Sequence, residues 1–106
     1  MNLLSDHIIR SRQGDKEAFR QIVQQFQSMV FSLAFRMLCD EDDAEDIVQE
    51  TFIRVWSHLS EYDENKKFET WVYTIAYRLC MMELRRKERI KTMPDDLNSL
   101  ADFISV

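Results

Sequence analysis

The sequence predicts an all-α fold, a compact bundle of about four helices. Its 106 residues include one glycine and one proline, where average usage would supply roughly seven and five. A sheet protein needs frequent turns, and glycine and proline form many of them. Several stretches also repeat apolar residues every three or four positions, as one face of a helix does. A chain of this length supports a single hydrophobic core.

The first two helices are predicted on either side of Gly14. Ser5 is a plausible N-cap for a short helix that runs to Gln13, and Gly14 then ends that helix. Asp15 caps a long second helix with one continuous apolar stripe. The stripe comprises Phe19, Ile22, Val23, Phe26, Met29, Val30, Leu33, Ala34, Met37 and Leu38.

A third helix is predicted after the acidic run 40–43, which lies where the helix dipole favours negative charge. Its apolar residues in register are Ala44, Ile47, Val48, Phe52, Val55, Trp56 and Leu59. The polar residues 60–67 then form a loop.

The fourth helix is predicted from about Phe68 to Lys91, because Pro94 disfavours helical geometry in the residue before it. Its core positions are expected at Phe68, Val72, Ile75, Leu79 and Met82 or Glu83.

The charge is arranged in blocks. The chain carries a net charge of −5, divided as +2 over residues 1–39, −9 over 40–64, +5 over 66–91 and −3 over 92–106. Such asymmetry indicates two surfaces with different partners. Alternatively, the acidic and basic blocks pair with each other across the bundle, and the sequence leaves both interpretations open.

The expected compartment is the cytoplasm. The N-terminus has no basic stretch followed by an apolar core, and no apolar run approaches the roughly 20 residues that span a membrane. Cys39 and Cys80 form no CxxC pair, so we expect free thiols that behave as small buried hydrophobic residues.

Catalytic chemistry has little support in the sequence. His7 and His58 are the only histidines, and neither belongs to an HExxH motif or to a metal-ligand cluster. We therefore predict that the chain is not an enzyme, has no metal site and needs no cofactor.

The fourth helix combines aromatic and basic side chains away from its predicted core. This combination suits single-stranded nucleic acid, because bases stack on aromatic rings while lysine and arginine neutralise phosphates. From periodicity alone, packed aromatics and a solvated basic helix end are the commoner arrangement. The candidate nucleic-acid residues are Phe68, Trp71, Tyr77, Arg78, Arg85 and Arg86.

The third helix carries a polar face opposite its apolar stripe. A charged face with an apolar centre, here Ile53, can bind a partner helix, although most such faces are simply solvated. The candidate docking residues are Asp46, Gln49, Glu50, Ile53 and Arg54.

Three motifs in this order resemble the second conserved region of bacterial sigma factors, over about residues 5–91. They are Gly14-Asp-Lys-Glu-Ala-Phe19, then Asp43-Ala-Glu-Asp-Ile-Val-Gln-Glu-Thr-Phe-Ile-Arg-Val-Trp56, then Phe68-Glu-Thr-Trp-Val-Tyr-Thr-Ile-Ala76 with Leu84-Arg-Arg86 behind it. Their compact spacing is similar to that of the extracytoplasmic-function (ECF) group of the sigma-70 family.

The resemblance implies a specificity subunit of RNA polymerase that directs transcription initiation. It implies that Asp46, Gln49 and Glu50 dock on the clamp of the β′ subunit, with Ile53 and Arg54 added by helical phase. It further implies that the non-template strand of the promoter −10 element is taken up by the 60–67 loop, Phe68, Trp71, Tyr77 and Arg78, with Arg85 and Arg86 nearer the duplex phosphates. An anti-sigma protein is an implied partner, and membrane insertion is not expected.

The resemblance also sets expectations for domain organisation. Residues 1–91 form the region 2 domain, residues 92–106 begin an inter-domain linker, and the helix-turn-helix of region 4 is absent from this chain. Arg78 and Met82 stand where members of the family often carry Asn and Asp. The alternative function is a helical protein-interaction adaptor with no role on DNA.

Overall fold

The computed structural model describes residues 2–92, which form four α-helices and a short 3-10 turn. No β-strand occurs within that range, and the predicted all-α bundle is confirmed. The expected linker falls outside the described residues, except for its first residue. The elements are α1 (Leu3–Arg12), α2 (Lys16–Leu38), α3 (Glu41–His58), the 3-10 turn (Leu59–Glu61) and α4 (Phe68–Thr92).

The central element is α2, which packs against the other three helices, while α3 and α4 also pack against each other. One continuous core forms between them. Its largest fully enclosed side chains are Ile22, Val30, Thr51, Val55, Val72 and Cys80. Burial of such aliphatic side chains is the main force that holds short helices together.

Side-chain caps fix where three helices begin. Asp15 accepts a hydrogen bond from the Ala18 N–H at 3.1 Å, as predicted for α2, and Asp40 does the same for α3. The predicted N-cap of α1 was wrong. Asn2 accepts a hydrogen bond from the Ser5 N–H at 2.7 Å, so α1 begins at Leu3 and Ser5 lies inside it. Asparagine satisfies free N–H groups at a helix start as well as serine does.

Two residues with positive φ end the first two helices. Gly14, at φ +91°, separates α1 from α2 as predicted. Cys39 ends α2 at φ +55°. The prediction that both cysteines are buried is therefore half wrong, because Cys80 is enclosed in the core while Cys39 is exposed at this turn. Cys39 is exposed because it occupies the C-cap position of α2, which lies at the surface, whatever the apolar character of its side chain.

The core face of α4 differs from the predicted one. Phe68, Val72 and Leu79 are buried as expected, but Ala76 and Cys80 complete the face. Met82 is 56% exposed and Ile75 only packs at the edge. Because α4 contacts both α2 and α3, its buried arc extends to Ala76 and Cys80, with Ile75 at its edge and Met82 outside it.

The predicted 60–67 loop contains a core residue. Tyr62 is 8% exposed and packs against Phe68, with ring centroids 5.0 Å apart. Its hydroxyl donates a hydrogen bond to the Lys66 carbonyl, so it also closes the loop on itself. The segment that leads into α4 is therefore anchored from within.

Candidate functional site

The α3 candidates lie together on the outer side of the bundle. Asp46, Gln49, Ile53 and Arg54 are exposed and Glu50 is half-buried. Ile53 exposes 54% of its surface among these polar groups. The Arg54 Nε lies 3.2 Å from the Glu50 carboxylate, one turn away. Since that pair neutralises itself, Asp46 gives the face its net negative charge.

An apolar groove between α2 and α3 adjoins this face and was missed in the sequence. The groove, with a volume of about 540 Å³, shares Gln49 and Ile53 with the α3 face. Phe19 and Trp56 meet in it edge to face, 4.9 Å between centroids. Trp56, predicted as core, is 37% exposed there. The other lining residues are Lys16, Val23, Val48, Phe52 and Ser57.

On α4, Trp71 and Arg78 are brought together in a hollow of about 400 Å³ between α3 and α4. Trp71 is half-buried, and its ring packs 5.2 Å from that of Tyr62 and 5.6 Å from that of Phe68. The remaining lining residues are Arg54, His58, Glu61, Ile75, Leu79 and Met82. This hollow therefore joins an aromatic ring, apolar walls and Arg78. Its other charged or polar lining groups are already paired, Arg54 with Glu50 and His58 with Glu61.

Phe68 does not belong to an exposed face. It is 4% exposed and packs between Phe26, Tyr62 and Trp71. A ring enclosed in this way has no free surface on which a base could stack, so Phe68 lies in the core and not on the exposed aromatic and basic side of α4. Phe68 instead fixes the start of α4 and the position of Trp71.

Tyr77 is 44% exposed and lies on a flank of α4 one turn from the 40% exposed Tyr73. Neither ring lines the hollow of Trp71 and Arg78. The aromatic candidates therefore divide between one half-buried ring beside the hollow and two exposed rings on another flank.

The basic end of α4 is partly occupied by ion pairs. Arg86 binds the Glu83 carboxylate at 2.7 Å, and this hydrogen bond raises the pKa of its guanidinium. Lys87 binds Asp43 in the first turn of α3. Arg85 is exposed, and no ion pair of Arg85 occurs among the described residues. The acidic and basic blocks thus do contact each other, but only at particular residues.

Comparison with known proteins decides the family. A sequence model described as Sigma-70 region 2 matches residues 22–90, which is more than half of the chain. The chain belongs to the sigma-70 region 2 family.

Several relatives share this region 2 domain. The ECF RNA polymerase sigma factor SigW of Bacillus subtilis is 37% identical over 81% of this chain and 46% of its own length. The ECF RNA polymerase sigma factor SigE of Mycolicibacterium smegmatis is 36% identical over 78% of this chain and 34% of its own length. The chain thus spans less than half the length of these two relatives, and the ECF resemblance is confirmed.

The region 2 fold also has a solved counterpart. The NMR structure of an engineered region 2 of sigmaE, in complex with GTAAAA, superposes with a TM-score of 0.76 at 32% identity. It covers 88% of this chain and 96% of that chain. Within residues 2–92 of this region 2 domain, no helix is long and apolar enough to cross a membrane.

Proposed function

We propose that this region 2 domain binds core RNA polymerase through α3 and takes up the unwound −10 strand of a promoter along α4, so directing transcription initiation. The names of its relatives support this role, since they are RNA polymerase sigma factors. So does the structural neighbour, a region 2 in complex with GTAAAA. The role asks for no catalytic group and no cofactor in this chain, because polymerase performs the chemistry.

The observation that carries the proposal is that Trp71 and Arg78 line the same open hollow between α3 and α4. An aromatic ring and a guanidinium that line the same hollow can together hold an extruded base, since the ring offers a stacking surface and the guanidinium can bind the base edge or the neighbouring phosphate. Arg78 has five donors in a rigid fork and is always charged, so it is suited to bidentate contacts. We assign base recognition to this pair and phosphate contact mainly to Arg85, because Glu83 already holds Arg86.

Docking on polymerase is assigned to the exposed residues of α3. Asp46 and Gln49 offer an acidic group and an amide beside the exposed Ile53, which matches a partner face that is basic with an apolar centre. Glu50 and Arg54 contribute less net charge because they pair with each other. The acidic balance of the whole chain disfavours binding to DNA in the absence of polymerase.

An anti-sigma protein is the partner that we propose for regulation. The apolar groove next to Gln49 and Ile53 gives such a protein a surface on which an apolar helix face could bury itself. A protein seated there would cover part of the α3 face and so compete with polymerase. The proposed place of action is the cytoplasm, where the polymerase acts.

The polymerase arm of the proposal is tested by pull-down of the chain with core polymerase. We expect Gln49→Ala, in combination with Asp46→Ala, to abolish capture while the circular dichroism spectrum and melting temperature stay unchanged. Gln25→Ala, an exposed substitution on α2, is the matched control and should retain capture. Undiminished capture by the double variant would overturn the assignment of α3.

The nucleic-acid arm uses fluorescence anisotropy of a labelled single-stranded −10 oligonucleotide in the presence of core polymerase. The complex should bind this oligonucleotide more tightly than a scrambled one of the same composition. Equal binding of the two sequences would contradict promoter recognition and would favour the adaptor role.

A further inference from the structure

Arg12, in the last turn of α1, crosses the bundle to the segment that leads into α4. The side chain of Arg12 is 24% exposed. Its Nε donates to the Leu59 carbonyl at 3.1 Å, its Nη2 to the Tyr62 carbonyl at 2.8 Å, and its Nη1 to the Glu64 carboxylate at 2.5 Å. One guanidinium therefore holds three points of a six-residue stretch, each about fifty positions away in sequence.

The two carbonyls that Arg12 binds belong to the end of α3 and the turn after it. Carbonyls in the last turn of a helix have no partner within the helix and must be satisfied from outside. The Tyr62 N–H bonds the Leu59 carbonyl at 3.3 Å, and Arg12 adds a second, charge-assisted donor to the same oxygen. The path of the chain as it leaves α3 is thus set by α1.

Arg12 also reaches the Tyr62 side chain, since its guanidinium carbon lies 5.8 Å from the ring centroid. That ring packs against Trp71, and its hydroxyl holds the Lys66 carbonyl. Burial, followed by the charge of Glu64, raises the pKa of Tyr62, so the hydroxyl remains a donor at neutral pH. A continuous series of contacts therefore runs from Arg12 through Tyr62 to Trp71.

We propose that Arg12 is a positioning residue for the nucleic-acid face of the domain, that is, the hollow lined by Trp71 and Arg78. Arg12 holds segment 59–64 and the Tyr62 ring in the arrangement that presents Trp71 to an unwound strand. This inference rests on the proposed function of α4. Arg12 itself is turned towards the protein and does not contact the strand.

Charge gives Arg12 a second effect on the same face. Glu61, Asp63 and Glu64 follow one another closely in this segment and would repel a polyanion. Arg12 neutralises Glu64, and Glu61 is bound to His58. Loss of Arg12 would leave the Glu64 carboxylate unpaired, close to the path of the strand.

The test compares Arg12→Gln with Arg10→Gln in the full chain bound to core polymerase. Arg10→Gln is the matched control, because it removes the same charge from the same helix, and the ion-pair partners of Arg10 among residues 2–92 are Asp6 and Asp15. We expect Arg12→Gln to weaken binding of the −10 oligonucleotide by about tenfold, or about 1.4 kcal/mol. Arg10→Gln should leave that binding unchanged, and both variants should bind polymerase as the wild type does.

Two further variants keep the inference testable if Arg12→Gln is poorly folded. Arg12→Lys retains the charge but lacks the fork that serves three acceptors, so it should restore melting temperature better than it restores oligonucleotide affinity. Glu64→Gln removes the ion pair but keeps both carbonyl contacts of Arg12, so it should weaken oligonucleotide binding less than Arg12→Gln does, and an equal or larger loss would count against positioning through the two carbonyls.

A spectroscopic measurement separates positioning from general stability. In a Trp56→Phe background the emission of Trp71 reports its own surroundings, and Arg12→Gln should shift it towards that of a more solvated indole. Unchanged emission together with unchanged oligonucleotide affinity would overturn the role of Arg12. A wild-type chain that shows no preference for the −10 oligonucleotide would overturn the proposed function instead, while the Trp71 emission would still report whether Arg12 positions the ring.

Discussion

The Lys87 ammonium of α4 binds the Asp43 carboxylate in the first turn of α3. This pair joins the acidic start of one helix to the basic end of the other, and the two side chains are 37% and 26% exposed. The hydrogen bond to Asp43 raises the pKa of Lys87. The contact therefore adds an ion pair to the packed core between α3, which we assign to polymerase, and α4, which we assign to DNA.

Replacing Lys87 by methionine should lower the free energy of unfolding by only about 0.5 kcal/mol at neutral pH, because the pair is partly solvated. The folded-state pKa of Lys87 is the higher one, so the contribution is present at neutral pH and disappears as the pH rises through that pKa. Urea unfolding of the wild type and of Lys87→Met, at neutral and at strongly alkaline pH, measures the difference in free energy of unfolding. Lys91→Met on the same helix is the control, and an equal loss there would show that the specific pair contributes nothing.

Arg78→Gln should separate DNA binding from folding. Arg78 is exposed, so its loss should change the free energy of unfolding by less than about 0.5 kcal/mol. Affinity for the −10 oligonucleotide should fall by about tenfold, the lower part of the range for one good side-chain contact to a base. Anisotropy titrations measure this, with Arg20→Gln on α2 as the control. Equal affinities of the two variants would remove Arg78 from the site.

Thr51→Val should stabilise the domain. The Thr51 side chain is fully buried in α3, and its hydroxyl has no hydrogen-bond partner among the described residues. Valine has nearly the same shape and no polar group to desolvate, so we expect a gain of about 1 kcal/mol. Thermal unfolding measures it. A lower melting temperature than that of the wild type would indicate that the hydroxyl is satisfied in solution, for instance by a buried water.

Cys39→Gly should also stabilise the domain, by about 0.5–1 kcal/mol, because glycine adopts the left-handed conformation of this helix end without steric cost. Cys39→Ala is the matched control, since it removes the thiol and keeps the β-carbon. The comparison is made by urea unfolding in the presence of reductant. If alanine stabilises as much as glycine, the backbone conformation is not the source of the gain.

Local sequence patterns predicted much of this fold. The cap at Asp15, the break at Gly14 and the start of α4 at Phe68 all depend on neighbours within a few residues, and all were correct. The errors at Ile75 and Met82 have a different origin. Periodicity predicts the spacing of buried residues along a helix but not how much of its circumference is buried. Because α4 packs against two helices, the residues that are buried differ from those of a single stripe.

The site was less predictable than the fold. Arg12 was missed because its contacts span about fifty residues, which no local pattern records. Tyr62 was missed because it lies in a polar segment outside every helical stripe. The pairing of Glu50 with Arg54 and of Glu83 with Arg86 could have been anticipated from spacings of four and three on a helix. The hollow of Trp71 and Arg78 needed the packing of α3 against α4.

The apolar groove between α2 and α3 has a practical consequence for work on the isolated domain. The groove exposes apolar surface to water at Phe19, Ile53 and Trp56. Such patches promote self-association at high protein concentration. Purified protein should therefore form reversible dimers or precipitate as it is concentrated, and a polar substitution such as Ile53→Lys should suppress this. Affinities for polymerase and for the oligonucleotide should therefore be measured in dilute samples, where self-association does not compete with binding.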